Sequence, residues 1–331
     1  MNATELPSWL WIPIVIGAAA AQTARNAAQR ALTQQVGTLA ATLVRFLYGL
    51  PFSLLWLALA WWLAGDAAKP TLNLGFALWL TFGALAQLGA TALLLAAMQQ
   101  RNFIVAVAFS KTEVVQVALF AVWFLGEVPG WLTTLGIALA TGGVVLLSWP
   151  KSAIASKTIA NNGVSTAETA QKSAQTAPSG WRAALSSPLA LLGLGSGALF
   201  ALASVGYRGA ALAEPGVSPW LLGGWGVFCA QLLQTVLLGG WLLARNPQSV
   251  RATASAWRLS LSAGTMGALA SIGWFTSGAL HAVADVRTLG LVEVLFSYAV
   301  SHRLLGERLS AQERWGLGLV LLGVAAVCWR W

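Results

Sequence analysis

The sequence predicts an all-α integral membrane protein in which ten transmembrane helices form two inverted five-helix repeats around a central cavity. Three observations lead to this fold class. Hydrophobic residues make up 57% of the chain and charged residues only 9%. Apolar runs of about 20 residues, long enough to cross a bilayer, recur throughout. The two halves also share a pattern of residues at one constant spacing, which indicates an internal repeat.

The repeat is visible in residues 95–148 and 275–328, which align at a constant offset of 180 residues. Each stretch has an apolar segment with one Glu, then a Gly-Glu pair, then a second apolar segment whose glycines lie two turns apart. Such glycines let helix backbones pack closely in lipid. The matches indicate that the chain arose by duplication. The matched residues are Glu113 with Glu293, Gly126-Glu127 with Gly306-Glu307, Gly136 with Gly316, and Gly143 with Gly323.

Ten apolar segments can be marked, and each is interpreted as a helix because backbone groups in lipid must be paired within their own segment. A stretch rich in Ser, Thr, Ala, Asn and Gln divides them five and five, and it is predicted to be a flexible linker. The predicted organisation is a first repeat at 1–149, a linker at 150–185 and a second repeat at 186–331. The segments are 9–32, 37–64, 73–98, 102–124, 130–149, 186–212, 217–244, 257–281, 283–304 and 310–330.

The orientation follows from the number of helices and the basic residues. Five crossings per repeat bring the second repeat into the membrane from the opposite side, so the repeats are inverted. Of the basic residues outside the helices, only Lys69 and Arg330 lie on the side of the termini. The positive-inside rule then predicts a cytoplasmic linker and external termini. The basic residues on the linker side are Arg101, Lys151, Lys157, Lys172, Arg182, Arg245, Arg251, Arg258, Arg303, Arg308 and Arg314.

The composition disfavours several classes of function. The formal charge of +9 comes without a basic patch interleaved with exposed aromatics, so no nucleic-acid partner is expected. Cys229 and Cys328 lie far apart within apolar segments, and the chain has two His; we therefore expect no disulfide, no metal and no other cofactor. Hydrolase, zinc-protease, phosphate-loop and dinucleotide motifs are missing from the sequence, which argues against an enzyme.

Ionisable side chains at membrane depth are costly, and each is therefore a candidate for function. Glu113 lies about 18–21 Å from either end of its segment at 1.5 Å per residue, near the middle of the bilayer. Glu293 repeats this position in the second half. Two such carboxylates could bind a substrate ammonium or exchange protons. The alternative is that each is held by a structural partner such as Lys111 or Arg287.

The first segment carries a stripe of polar side chains at helical spacing, which must face the bundle or a cleft and not lipid. With Arg25, Arg45 and Lys111, the predicted cavity contains more cations than carboxylates, a balance that favours a substrate with a carboxylate or phosphate group. Glu127 and Glu307 are expected to be structural, with each carboxylate at the positive start of the next helix. The predicted substrate-binding residues are Glu113, Glu293, Lys111, Arg25, Gln22, Arg45 and Gln116.

Two short turns, Phe124-Leu-Gly-Glu127 and Leu304-Leu-Gly-Glu307, each lead into a Gly-rich apolar segment. This pattern resembles the EamA-type members of the drug/metabolite transporter superfamily, and most of all amino-acid exporters of the YddG type. The likeness covers the chain outside the linker. It implies a basket-like bundle with a central cavity in a bacterial inner (plasma) membrane. It also implies cytoplasmic termini, the reverse of the orientation indicated by the basic residues.

Taken together, these features predict a secondary transporter in the lipid bilayer that exports small polar metabolites, first of all amino acids, by alternating access. We expect it to act as a monomer, and coupling to protons is left open. Another substrate class, such as nucleotide sugars, sugar phosphates or cationic drugs, is the main alternative. A membrane-embedded enzyme or a channel is less favoured.

Overall fold

A computed structural model describes residues 7–65, 68–100, 110–148, 188–305 and 311–329. Within these ranges the chain forms helices and no strand, so the predicted all-α class is confirmed for this part of the protein. The predicted linker at 150–185, the beginning of the fourth apolar segment at 102–109 and the second Gly-Glu pair lie outside the described residues.

Each of the ten apolar segments contains helix among the described residues, and one short helix, α10, was not predicted. In the first half they are α1 (Trp11–Val36), α2 (Thr38–Leu47), α3 (Leu50–Ala64), α4 (Leu74–Gln100), α5 (Glu113–Leu125) and α6 (Trp131–Ser148). In the second half they are α7 (Pro188–Leu212), α8 (Pro219–Gln234), α9 (Gly240–Arg245), α10 (Pro247–Ser255), α11 (Trp257–Leu280), α12 (Val283–Leu289), α13 (Val292–Leu305) and α14 (Ala311–Cys328).

Some predicted single helices are interrupted. A turn separates α2 from α3, and Pro51 in the first turn of α3 fits this position because it has no backbone N–H to donate. Another turn, at Gly290–Leu291, separates α12 from α13. A π-helical turn, Thr235–Gly239, joins α8 to α9. Gly37 forms the turn between α1 and α2. Its φ of 82° is a conformation that glycine adopts readily and other residues rarely adopt.

Four helical stretches of the described residues are long and apolar enough to cross a membrane. Helices α1 and α11, with 26 and 24 residues, are also long enough, but they carry many polar side chains that are buried against other helices. The chain is a multi-pass membrane protein by this measure, and the full set of ten spans stays a prediction. The four stretches are Thr38–Ala64, Leu74–Gln99, Ala190–Leu212 and Pro219–Arg245.

Helices of the two halves pack against each other in exchanged pairs. Helix α4 lies along α7, and α1 lies along α11. Helices α1 and α7 form the first apolar segment of each half, whereas α4 and α11 form the third. Each contact is therefore the counterpart of the other. Helices α6 and α14, which form the fifth apolar segment of each half, pack directly on each other.

The contact between α6 and α14, which we call the glycine seam, is built from the glycines that the repeat alignment matched. A Cβ atom on Gly136 would lie 2.7 Å from the backbone oxygen of Gly323, and one on Gly143 would lie 2.5 Å from that of Gly316. Side chains cannot be accommodated at such distances, so the backbones meet directly, as expected for close helix packing in lipid. The contacts are crosswise, because Gly136 meets the counterpart of Gly143.

Adding a methyl group to the glycine seam is expected to destabilise the protein. Gly143→Ala forces the helices apart, and such overpacking costs about 1–3 kcal/mol. Thermal unfolding in detergent should therefore give a lower melting temperature for this variant. Gly142 is the matched control, because a Cβ atom there has no neighbour within 4 Å. Equal melting temperatures for Gly143→Ala and Gly142→Ala would contradict the direct backbone contact.

Candidate functional site

A buried carboxylate at the start of α13 is the centre of a polar network. The side chain of Glu293 is 0% exposed. Its oxygens accept hydrogen bonds from Gln22 Nε2 at 2.6 Å and from Asn26 Nδ2 at 2.9 Å. The ammonium Nζ of Lys111 lies 2.5 Å from the same carboxylate. A buried charge needs such partners, and here they tie α1 and the turn before α5 to the second half.

Both of the repeated carboxylates lie in the first turn of a helix that begins at the predicted membrane depth. Glu113 is the first residue of α5, after the turn at Lys111–Thr112. Glu293 is the second residue of α13, after the turn at Gly290–Leu291. A helix N-terminus carries partial positive charge, which stabilises a carboxylate placed there. Interrupted helices of this kind are typical of binding sites at the membrane midplane.

The second carboxylate also pairs across the halves. Oε1 of Glu113 lies 3.4 Å from Nη1 of Arg287 in α12. The Arg287 guanidinium stacks on Trp274, with Cζ 4.5 Å from the ring centroid. Trp274 in turn donates its indole N–H to the side-chain oxygen of Gln22 at 2.9 Å. The two ion pairs therefore belong to one set of contacts, the ion-pair network: Gln22, Asn26, Lys111, Glu113, Trp274, Arg287 and Glu293.

Two further arginines lie beside the ion-pair network and have only neutral hydrogen-bond partners among the described residues. Arg25 donates from Nη2 and Nε to the Asn26 side-chain oxygen, at 2.6 and 3.2 Å. Arg45 donates to the hydroxyl of Thr91 at 2.7 Å and to that of Ser271 at 3.4 Å. Both arginines are 1% exposed. They form buried positive charge that no described carboxylate contacts.

Gly267 of α11 brings these arginines together. A Cβ atom on Gly267 would lie 3.2 Å from Cγ of Arg45 and 3.3 Å from Cδ of Arg25. Both side chains therefore cross the same bare part of the helix, and we call them the arginine pair. Nη1 of Arg25 and Nε of Arg45 are buried without a hydrogen-bond partner in the described part of the chain. Buried donors of this kind are rare and invite a ligand.

A small central cavity adjoins the ion-pair network and the arginine pair. Its lining includes Trp274 and Arg287 of the network and Ser271, which contacts Arg45. Gln231 also lines it, and both side-chain atoms of this buried amide are without a partner among the described residues. The volume open to water-sized molecules is about 20 Å³, room for about one water. The conformation is therefore closed. The lining is Gln87, Tyr207, Val227, Ala230, Gln231, Ser271, Trp274 and Arg287.

A second small cavity leads from Trp274 and Arg287 towards the ends of α7 and α11 and reaches Arg208. Nε of Arg208 lies 2.7 Å from Oε1 of Glu127. Nη1 of Arg208 donates to the backbone oxygen of Gly278, also at 2.7 Å. We call the pair of Arg208 and Glu127 the end clamp, because it joins α7 to the turn after α5 beside the second cavity.

Glu127 was expected to meet the start of the next helix along the chain, and this was wrong. Its Oε2 accepts from the backbone N–H of Val283 at 3.4 Å, at the first residue of α12 in the other half. Gly126 ends α5 with a φ of 69°, a left-handed conformation that suits glycine. The chain turns there, and the carboxylate after the turn contacts the second half.

Most of the predicted site residues lie together. Gln22, Lys111, Glu113 and Glu293 belong to the ion-pair network. Arg25 is joined to it through Asn26, and Arg45 lies beside Arg25. Gln116 is the exception, because it is half-buried on α5, its side-chain oxygen is without a partner among the described residues, and no contact connects it to the network.

The cavity lining was largely missed from the sequence. Ser271 looks like any serine in a membrane helix, and Trp274 like a packing residue. Gln87 and Gln231 could have been recognised from the sequence, because amide side chains at membrane depth need hydrogen-bond partners. The described residues contain no group of three or more His, Cys, Asp or Glu side chains that could hold a metal ion.

Comparisons with known proteins agree with this architecture. Residues 9–149, which lie within the predicted first repeat at 1–149, match the EamA-like transporter family. A solved crystal structure shares the fold at 16% identity, with a TM-score of 0.60, over 95% of this chain and 94% of the other. No curated protein matches the sequence. The first half of the chain is therefore similar to EamA-like transporters, and the structural likeness shows a shared fold.

Proposed function

We propose that the protein is a secondary transporter that exports small polar metabolites, first of all amino acids, by alternating access. The observation that carries this proposal is the central cavity, where charged and amide side chains from both halves converge inside an otherwise apolar bundle. Groups of this kind are costly at membrane depth and mark substrate or ion pathways. The match of residues 9–149 to the EamA-like transporter family supports the same class.

Ten spans in two inverted repeats, at 1–149 and 186–331 with a linker at 150–185, are part of the proposal. The exchanged helix pairs and the crosswise glycine seam support it. When two units are related by a two-fold axis, position i of the first unit contacts position j of the second, and position j of the first contacts position i of the second. An axis lying in the membrane plane lets the two repeats rock against each other about a fixed site.

The charges of the ion-pair network suit a ligand of mixed charge. A substrate ammonium can replace Lys111 or Arg287 at a carboxylate, and a substrate carboxylate can occupy the cations that are released. Both ion pairs join the first half to the second, so such an exchange loosens contacts between the halves when substrate binds. The end clamp keeps the path towards the termini closed until then.

Substrate counterflow in proteoliposomes tests the proposal. Vesicles loaded with one unlabelled amino acid should accumulate the same labelled amino acid faster than protein-free vesicles, for at least one member of a panel. An imposed pH gradient in a parallel series shows whether protons are coupled. If no amino acid is exchanged, amino acids are not the cargo. If sugar phosphates, nucleotide sugars and cationic drugs also fail to exchange, the protein is not a transporter of these classes and the proposal is wrong.

A further inference from the structure

The ionisable groups around the central cavity do not balance. Among the described residues, the buried cations are Arg25, Arg45, Lys111 and Arg287, and the buried carboxylates beside them are Glu113 and Glu293. Lys111 and Arg287 each have a carboxylate partner. The arginine pair has none. Arginine keeps its charge in proteins, so two positive charges lie buried in a medium where unpaired charge is strongly disfavoured.

Three other carboxylates in the described part of the chain are engaged elsewhere. Glu127 forms the end clamp with Arg208. Glu214 accepts hydrogen bonds from Thr71 and Asn73 in the loops on the side of the termini. Asp285, at the start of α12, accepts a hydrogen bond from Thr133 of α6. None of these carboxylates contacts the arginine pair, so within the described part of the chain its positive charge has no acidic partner.

The geometry of the arginine pair suits an oxyanion. The side chains of Arg25 and Arg45 cross Gly267 together, and each guanidinium group retains a nitrogen without a partner in the described residues. Guanidinium groups bind carboxylate and phosphate oxygens through paired, charge-assisted hydrogen bonds. Ser271 connects Arg45 to the central cavity. Across the same cavity, Gln231 offers an amide that can donate to or accept from a ligand.

We propose that the central cavity selects substrates of net negative charge, and that the arginine pair binds their extra carboxylate or phosphate group. Ser271 and Gln231 add neutral hydrogen bonds to the same ligand. Among amino acids, this selects the acidic ones over neutral and basic ones. This inference rests on the proposed function, because it assigns a substrate class to the cavity of that transporter.

Ligand binding to the purified full-length protein in detergent tests the inference separately from transport. The probes are sodium glutamate, succinate, glucose 6-phosphate and inorganic phosphate, at constant ionic strength. Glutamine is the matched neutral probe, because it has nearly the shape of glutamate without the second charge. Calorimetry and thermal shift should show saturable binding of at least one anion and binding of glutamine that is weaker by about tenfold or more, equivalent to about 1.4 kcal/mol.

Variants locate the binding to the arginine pair. Arg25→Gln and Arg45→Gln should each weaken anion binding by about tenfold or more. Arg30→Gln is the matched control, since Arg30 lies on the same helix as Arg25 and is half-buried outside the pair, and it should leave the affinity unchanged. If a neutral variant fails to fold, Arg45→Lys retains the charge without the planar fork and should bind several-fold more weakly.

The outcomes separate this inference from the proposed function. Binding of only carboxylates or only phosphates supports the inference and identifies the oxyanion. Glutamine bound as tightly as glutamate, or anion affinity unchanged in both neutral variants, overturns it. Counterflow of neutral amino acids by a protein that binds no anion overturns the inference and leaves the transporter standing. Saturable anion binding without any counterflow supports the arginine site and removes the transporter.

Discussion

Glu293→Gln is expected to abolish transport and to cause the largest loss of stability among single substitutions in the site. The carboxylate is fully buried and holds the ammonium of Lys111 at 2.5 Å. Removing one partner of a buried ion pair leaves the other charge uncompensated, which costs about 3–5 kcal/mol. Thermal unfolding in detergent gives the stability, and counterflow with whichever labelled substrate the wild-type protein exchanges gives the activity.

A double variant separates the lost charge from the lost shape. Glu293→Gln with Lys111→Met removes both charges, and replacing a whole buried pair is often neutral for stability. The double variant should therefore recover stability while transport stays absent. Glu113→Gln is a milder comparison, because its partner lies at 3.4 Å and also stacks on Trp274. A double variant less stable than Glu293→Gln alone would show that the pair is not coupled in the expected sense.

Arg208→Gln is expected to open the path from the central cavity on the side of the termini. The substitution removes the ion pair to Glu127 and the hydrogen bond to Gly278. One hydrogen bond to a charged group contributes about 1.5–3 kcal/mol, so losing these contacts should raise the open population by at least about tenfold. Ser204 lines the second cavity and is 5% exposed, and a cysteine placed there reports opening through its labelling rate.

The labelling experiment uses a membrane-impermeant maleimide on cells that express Ser204→Cys with Cys229 and Cys328 replaced by alanine. Labelling should be faster by about tenfold or more with Arg208→Gln. Arg258→Gln is the control, because Arg258 is exposed and stacks only on Trp257. Faster labelling in inside-out vesicles but not in cells would place the termini in the cytoplasm, the reverse of the orientation that the basic residues predict. No acceleration in either preparation would refute the clamp.

Hydropathy was sufficient to predict the all-α class, and glycine spacing was sufficient to predict the helix faces that pack closely at the glycine seam. Apolar runs decide where a chain can be helical in lipid, and glycines two turns apart on α6 and α14 leave one bare face on each helix. The interruptions before α5 and α13 were missed because a turn inside an apolar run leaves the hydropathy unchanged. These turns place Glu113 and Glu293 at helix N-termini.

The members of the polar network were easier to predict than their pairing. Burial of a charge in lipid is costly whatever its partner, so Glu113, Glu293 and Lys111 stand out from the sequence alone. Which carboxylate meets which cation depends on how the helices cross. Lys111, two residues from Glu113 in sequence, pairs instead with Glu293 of the other half. Whether Gln116 joins the network could not be predicted for the same reason, because a sequence does not say which face of α5 looks into the bundle.

The crosswise glycine seam also constrains how the two halves can diverge. Gly143 contacts Gly316, the copy of Gly136, and not its own copy, Gly323. A larger side chain on one helix of the glycine seam must then be offset by a smaller one on the opposite helix. Substitutions along the seam are therefore expected to occur in compensating pairs. The residues around the cavity carry no such mutual restriction. The halves can therefore specialise for different parts of a cargo while they co-evolve along a single row of glycines.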